Sequence, residues 1–181
     1  GSSIRSSWIV FMPGLGGVPD HFHWLARKLS RKGWPVILLE HPGSDAKAMQ
    51  ELLKGIRPAP GAEVIPDRLA DLYSVLKAKQ DKELNIDGEK LVLMGHSLGA
   101  LTAFFAVGAI PESGLDKRCE KALDALSLTN LSQLMQCQMV DVQLPDQEKI
   151  PEVNAIVGIN SFGSLLWPNR GGAKISIPVF D

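Results

Sequence analysis

The apolar residues of this chain fall in short, regularly spaced runs separated by amphipathic stretches. Trp8-Ile9-Val10-Phe11-Met12 is the first, and it stops at Pro13-Gly14-Leu15-Gly16-Gly17. Unbroken apolar character over five residues, ended by glycines, predicts a strand covered on both faces that runs into a tight turn. Asp20 is placed to cap a helix through Trp24, Leu25 and Leu29 to Lys32, with Gly33 closing it. Val36-Ile37-Leu38-Leu39 predicts a second buried strand, ended by His41-Pro42-Gly43, and a short helix covers 46–53. Arg57-Pro58-Ala59-Pro60-Gly61 excludes regular structure. Pro66 and Asp67 then open an amphipathic helix with Leu69, Leu72, Tyr73 and Leu76 on one face.

Asn85-Ile86-Asp87-Gly88 turns the chain into an apolar run from Lys90 to Met94. A helix-length apolar run extends from Leu98 to Ile110, and Gly95-His96-Ser97 lies between the two. From Pro111 to Ile150 the pattern is helical, over 115–126 and 131–138, with no strand-like run. Val153 to Ile159 resumes the strands, and Ile175 to Phe180 reads as the opening of another. Strands that alternate with helices and are apolar throughout predict a mostly parallel sheet with helices on both faces. Ligands in such sheets bind beyond the carboxyl ends of the strands. The turns at 13–17, 41–43, 95–99 and 160–163 all follow strand ends, so they are expected along one edge.

Composition narrows this picture without changing it. The 181 residues, 45% hydrophobic and 22% charged, fit one soluble domain. Its core is expected over 7–110 and 151–181, with 111–150 as a helical insertion. A net charge of −1 gives no electrostatic reason to expect nucleic acid or an anionic membrane as partner. No apolar stretch reaches the ~20 residues of a membrane span. The first seven residues lack the basic and apolar segments of a signal peptide. The compartment stays open, cytoplasmic or exported. Cys119 and Cys137 both lie in the insertion, either as free thiols or as a bridge between two of its helices. Without companion histidines they make a poor metal site, and no cofactor is expected.

Gly95-His96-Ser97-Leu98-Gly99 carries the chemistry. A G-x-S-x-G segment between strand and helix forces a sharp turn that holds the serine out at the strand end, the nucleophile elbow. Ser97 is the expected nucleophile. Its oxyanion donors are expected to be the backbone N–H of Leu98, first in the helix, and of Leu15, in the glycine turn after the first strand.

With these motifs the chain resembles the α/β-hydrolase superfamily. Within it, the likeness is to bacterial proteins described as predicted dienelactone hydrolases, related to platelet-activating-factor acetylhydrolase. The landmarks are Pro13-Gly14-Leu15-Gly16, Glu40-His41-Pro42-Gly43-Ser44, the serine motif, Leu131 to Gln138, and Ile177-Pro178-Val179. Pro13 departs from the histidine common there, and true dienelactone hydrolases use cysteine where this chain has Ser97. The resemblance implies an α/β-hydrolase fold and a serine esterase with Ser97 as nucleophile and Leu15 and Leu98 as donors. It also implies that 111–150 forms a lid shaping an acyl pocket. Leu126, Leu128, Leu131, Leu134, Met135 and Met139 either line that pocket, favouring a small-molecule ester with an apolar acyl group, or pack the insertion on the body.

The catalytic order in this fold is serine, acid, histidine. All four histidines, His21, His23, His41 and His96, precede Ser97. His41 is the best-placed substitute base, although the resemblance implies that it shapes its loop. His96 is expected to pack, and His21 and His23 to be solvated or packed locally. Asp181, the last residue, is the nearest candidate acid. The expectation is a chain truncated at its C-terminal end, with acid and base beyond it or in a second chain. The competing readings are a non-catalytic binding module of the same fold, and an acyltransferase or thioesterase.

Overall fold

The computed structural model describes residues 6–56, 60–124, 130–144, 150, 152–169 and 174–181. The elements follow as β1 (Ser7–Met12), α1 (His23–Ser30), β2 (Val36–Leu38), α2 (Ala46–Leu53), α3 (Ile65–Gln80), β3 (Lys90–His96), α4 (Leu98–Ala106), α5 (Leu115–Asp124), α6 (Leu131–Gln138), β4 (Val153–Ile159) and β5 (Val179–Phe180). Among the described residues five strands form one sheet in the order β2-β1-β3-β4-β5, every pair parallel. This is the parallel sheet of an α/β fold.

Period-two alternation inside β1 sets the layers. Trp8, Val10 and Met12 join the larger core with Leu69 and Leu72 of α3 and Leu98 and Leu101 of α4. Ile9 and Phe11 face the other way and meet Phe22, Leu25 and Leu29 at and in α1. An all-apolar run is what a strand covered on both faces requires.

In the parallel register, Met12 at the end of β1 lies beside Gly95 of β3, and Gly95 lies beside Gly158 of β4. All strand ends therefore open onto one edge, where two bonds cross between loops. Gly16 N–H donates to the Ser44 carbonyl at 2.8 Å, and Ser97 N–H donates to the Ile159 carbonyl at 2.9 Å.

Three boundaries differ from expectation. Pro19 starts a 3-10 turn over Pro19–Phe22, so α1 begins at His23 and Asp20 caps nothing. The helix expected to reach Ile110 stops at Ala106. Gly108 takes φ +82°, and bonds from Gly108 N–H to Phe105 and from Ala109 N–H to Phe104 close the helix there. Of the run 175–180 only Val179 and Phe180 pair, because Pro178 has no N–H to give a ladder and contributes its carbonyl to Ile156 instead.

The α5–α6 pair is tied to the body at several points. Cys119 and Cys137 are bridged, with Cα atoms 5.5 Å apart. Arg118 donates to the carbonyls of Leu165 (2.7 Å), Ser113 (2.7 Å) and Glu112 (2.8 Å). Gln136 accepts from Leu165 N–H at 2.7 Å, and Gln138 accepts from Ala62 N–H at 3.0 Å. Met135 and Met139 are buried in the main core, so these two pack the pair onto the body; Leu131 and Leu134 are exposed. Leu126 and Leu128 lie outside the described residues. Among the described residues no helix is long and apolar enough to cross a membrane.

Candidate active site

Ser97 occupies the junction of β3 and α4 at φ 51°, ψ −116°. L-residues avoid this backbone region, and a turn this sharp persists only when its surroundings hold it. The surroundings are close. A Cβ on Gly95 would come within 2.3 Å of the Ala100 nitrogen, and one on Gly99 within 2.0 Å of the Met12 carbonyl oxygen. Both contacts are backbone that cannot step aside, so strand, turn and helix can close up only with glycine at these two positions.

The loop after β1 lies against this turn. A Cβ on Gly14 would sit 3.1 Å from Ser97 Cβ and 3.0 Å from His96 Nδ1. Leu15 follows directly. Among the described residues neither the Leu15 N–H nor the Leu98 N–H has a hydrogen-bond partner. Leu98 also opens α4, where the helix dipole favours negative charge.

Behind the loop lies a buried polar cluster that sequence reasoning missed. Arg68, 1% exposed, donates from Nε to Thr102 Oγ1 at 3.0 Å, from Nη1 to Ser44 Oγ at 2.7 Å and from Nη2 to the Pro13 carbonyl at 2.5 Å. Thr102 Oγ1 donates in turn to the Leu98 carbonyl at 2.8 Å. Burial lowers the Arg68 pKa to about 9, opposed by the Asp71 charge, which leaves the guanidinium charged at neutral pH. The sequence held a signal for it. Position 68 falls on the same helical face as Ile65, Leu69 and Leu72, all buried, and a charge on such a face needs partners.

His41 belongs to this cluster and not to Ser97. Its Nδ1 lies 2.9 Å from Asp71 Oδ2, and it is 1% exposed. Burial lowers its pKa to about 4, outweighing the Asp71 hydrogen bond that raises it. The imidazole is therefore neutral at pH 7, and Nδ1–H donates to Asp71. The contact is a hydrogen bond to a carboxylate rather than an ion pair. His96 faces the Phe22 ring at 6.1 Å, and His21 and His23 are exposed. Among the described residues no histidine is hydrogen-bonded to Ser97. Asp181 accepts a hydrogen bond from Ser161 Oγ. Both residues line a cleft of about 250 Å³ with Phe104, Phe162, Gly163 and Trp167.

Comparison with known families gives one decisive match. The family described as "Putative serine esterase (DUF676)" matches residues 4–135, nearly three quarters of the chain. The chain belongs to this family. The match to the DUF676 family runs from before β1 into α6, and so includes Gly14, Leu15, Ser97 and Leu98. No curated protein sequence matches the chain.

Among solved structures, this chain is similar to apo Thermogutta terrifontis esterase 2 (16% identity, TM-score 0.46, 88% of this chain, 46% of that one). It is also similar to Paleococcus ferrophilus monoacylglycerol lipase (14%, 0.47, 99% and 84%). A third is the type II thioesterase BorB of the borrelidin biosynthetic cluster (14%, 0.48, 99% and 82%). At such values the likeness carries no inference about activity. The chain spans less than half the length of that esterase and 44% of a metagenome-derived lipolytic enzyme.

Proposed function

We propose that the protein is a carboxylic ester hydrolase in which Ser97 is the nucleophile of an acyl-enzyme reaction. The observation that carries this reading is the backbone of Ser97, held at φ 51° on the N-terminus of α4 against Gly14. Such a turn is a nucleophile elbow. The N–H groups of Leu15 and Leu98, unpartnered among the described residues, form the oxyanion hole for the tetrahedral intermediate. Ser97 Oγ attacks the ester carbonyl, the negative charge gathers on its oxygen between these donors, and expulsion of the alcohol leaves an acyl-serine. Water then releases the acid.

Proton transfer needs a base near Ser97 Oγ; His41 is bonded to Asp71 through Nδ1, and its Nε2 makes no hydrogen bond to Ser97 among the described residues. The proposed reaction therefore calls on a base other than His41 in its present position. The aromatic cleft of Phe104, Phe162 and Trp167 supports an apolar acyl group, and a lid role is proposed for α5 and α6 because Arg118 and Gln136 tie them to Leu165 beside that cleft. The exposed Leu131 and Leu134 favour no more than that role.

The test combines fluorophosphonate labelling with hydrolysis of p-nitrophenyl esters by the full-length protein. Wild type is expected to label at Ser97 and turn over. Ser97→Ala is expected to lose labelling and to lower kcat by about 10³-fold or more. Turnover that survives Ser97→Ala would overturn the reading. Labelling without turnover on any ester would favour a binding module that retains the elbow.

A further inference from the structure

We infer that Arg68 is a positioning residue that sets the gap between the Leu15 and Leu98 N–H groups, acting through Pro13, Ser44 and Thr102. The inference rests on the reading of Ser97 given above and extends it to a residue 29 positions upstream in the sequence.

The geometry runs in two directions from one guanidinium. Towards the β1 loop, Nη2 holds the Pro13 carbonyl, two residues before Leu15. Nη1 holds Ser44 Oγ, and the Ser44 carbonyl holds Gly16 N–H, the residue after Leu15. Leu15 is thus anchored on both sides. Towards α4, Nε holds Thr102 Oγ1, which holds the carbonyl of Leu98 itself. A rigid planar fork therefore spans the two segments that carry the donors.

The cost of the arrangement points the same way. Arg68 is 1% exposed and its three acceptors are neutral oxygens. Burying a guanidinium without a directly bonded carboxylate is expensive, and an apolar side chain of similar volume would fill the space. A hydroxyl at 102 and one at 44, both aimed at this group, add two further polar residues to a core that does not need them for packing. What the fork supplies is direction. Five N–H donors in one plane fix the separation of their acceptors, which lysine, a point charge on a flexible stem, cannot do.

Arg68→Lys keeps the charge and removes the fork, so it is the primary variant, made in the full-length protein. Steady-state hydrolysis of p-nitrophenyl acetate is read together with inhibition by a boronic acid, which becomes tetrahedral on the serine and fills the oxyanion site. The expected result is a fall in kcat of about 10- to 100-fold, with KM within about twofold and boronate affinity weakened in step with kcat. Thr102→Val, which cuts only the arm to Leu98, is expected to move the same two quantities by less. A merely structural role would instead lower the thermal midpoint while leaving the ratio of boronate affinity to KM unchanged. That outcome overturns the inference, as does a folded Arg68→Lys whose kcat and boronate affinity stay within about twofold of wild type. If Arg68→Lys does not fold, Thr102→Val and Ser44→Ala are judged by the same criteria. Ser97→Ala separates the two claims. Turnover retained in that variant defeats the esterase reading itself, whereas an inert Ser97→Ala beside an unaffected Arg68→Lys defeats only this inference.

Discussion

On the β1–β3 side of the strand-end edge, backbone meets backbone. Gly99 abuts Met12, Gly14 abuts Ser97, and a buried arginine joins the loop after β1, the loop after β2 and helix α4. On the β4–β5 side the contacts are softer. Ser161 reaches the exposed Asp181, aromatic side chains border a cleft, and Phe180 at the sheet edge is 60% exposed. The difference matches two tasks. In the proposed reaction, stabilising an oxyanion requires N–H groups fixed within fractions of an ångström, a demand that glycines and a buried clamp would meet. Proton transfer requires a side chain within hydrogen-bond reach of Ser97, and no histidine among the described residues provides it.

The sharpest way to break the comparison is Gly99→Ala. Its Cβ meets the Met12 carbonyl oxygen at 2.0 Å, so α4 must separate from β1. The expected loss is on the order of 4 kcal/mol, read from urea unfolding, and Ser97 labelling should fall with it. A stable, fully labelled Gly99→Ala would mean the two segments are not held as described.

Removing the bridge with Cys119→Ala and Cys137→Ala should cost about 3 kcal/mol, since it opens a loop with an 18-residue separation. Because the bridged pair carries neither Ser97 nor the loop after β1, the labelling rate of Ser97 in the folded protein should stay within about twofold.

Acid should act on the rigid side through His41. Its native pKa, about 4, lies below the 6.5 of an unfolded histidine, so the unfolded chain takes up the proton first. The stability it contributes is complete above pH 6.5 and is lost as pH falls towards 4, by about 3 kcal/mol in all. Urea midpoints across that range, compared with His41→Gln, give the size of the step; equal slopes in both proteins would remove His41 as its source.

Gly163→Ala tests the softer side directly. Its Cβ would meet the Trp167 ring at 2.7 Å, and that ring, bonded through Nε1 to the Ile110 carbonyl at 2.8 Å, must shift towards the cleft, so about 1–2 kcal/mol is expected. The smallest effect belongs to Lys77→Ala. The Lys77–Asp81 pair at 2.5 Å is largely exposed, and its loss should stay under about 0.5 kcal/mol by the same unfolding measurement.

Much of the rigid half was legible as pattern. The run 8–12 specifies a two-sided strand, the spacing of Leu69, Leu72 and Leu76 specifies α3, and the glycines around Ser97 specify a turn that admits no Cβ. Helix α6 and strands β3 and β4 appear where their apolar residues place them. The run Leu131 to Gln138 holds contacts that its pattern does not announce. Gln136 holds the Leu165 N–H, Gln138 holds the Ala62 N–H, and Cys137 holds Cys119. None of these partners lies within 15 residues of its mate, so no local pattern announces them. The helix ends depart from the apolar pattern for a related reason. Pro19 and Gly108 act through backbone geometry, which the apolar periodicity around them does not record.

The sequence by itself determined the sheet, its two covered faces, and a serine on a strained turn between strand and helix, because each depends on residues adjacent along the chain. Tertiary structure decided the rest. It turned Arg68 from a charge on an apolar helix face into a clamp on three segments, gave His41 to Asp71 instead of Ser97, and bridged the two cysteines. Those outcomes depend on which buried polar groups meet once distant segments pack. Burial makes an unmet partner costly and so enforces the choice, but only the folded chain reveals which partner was chosen.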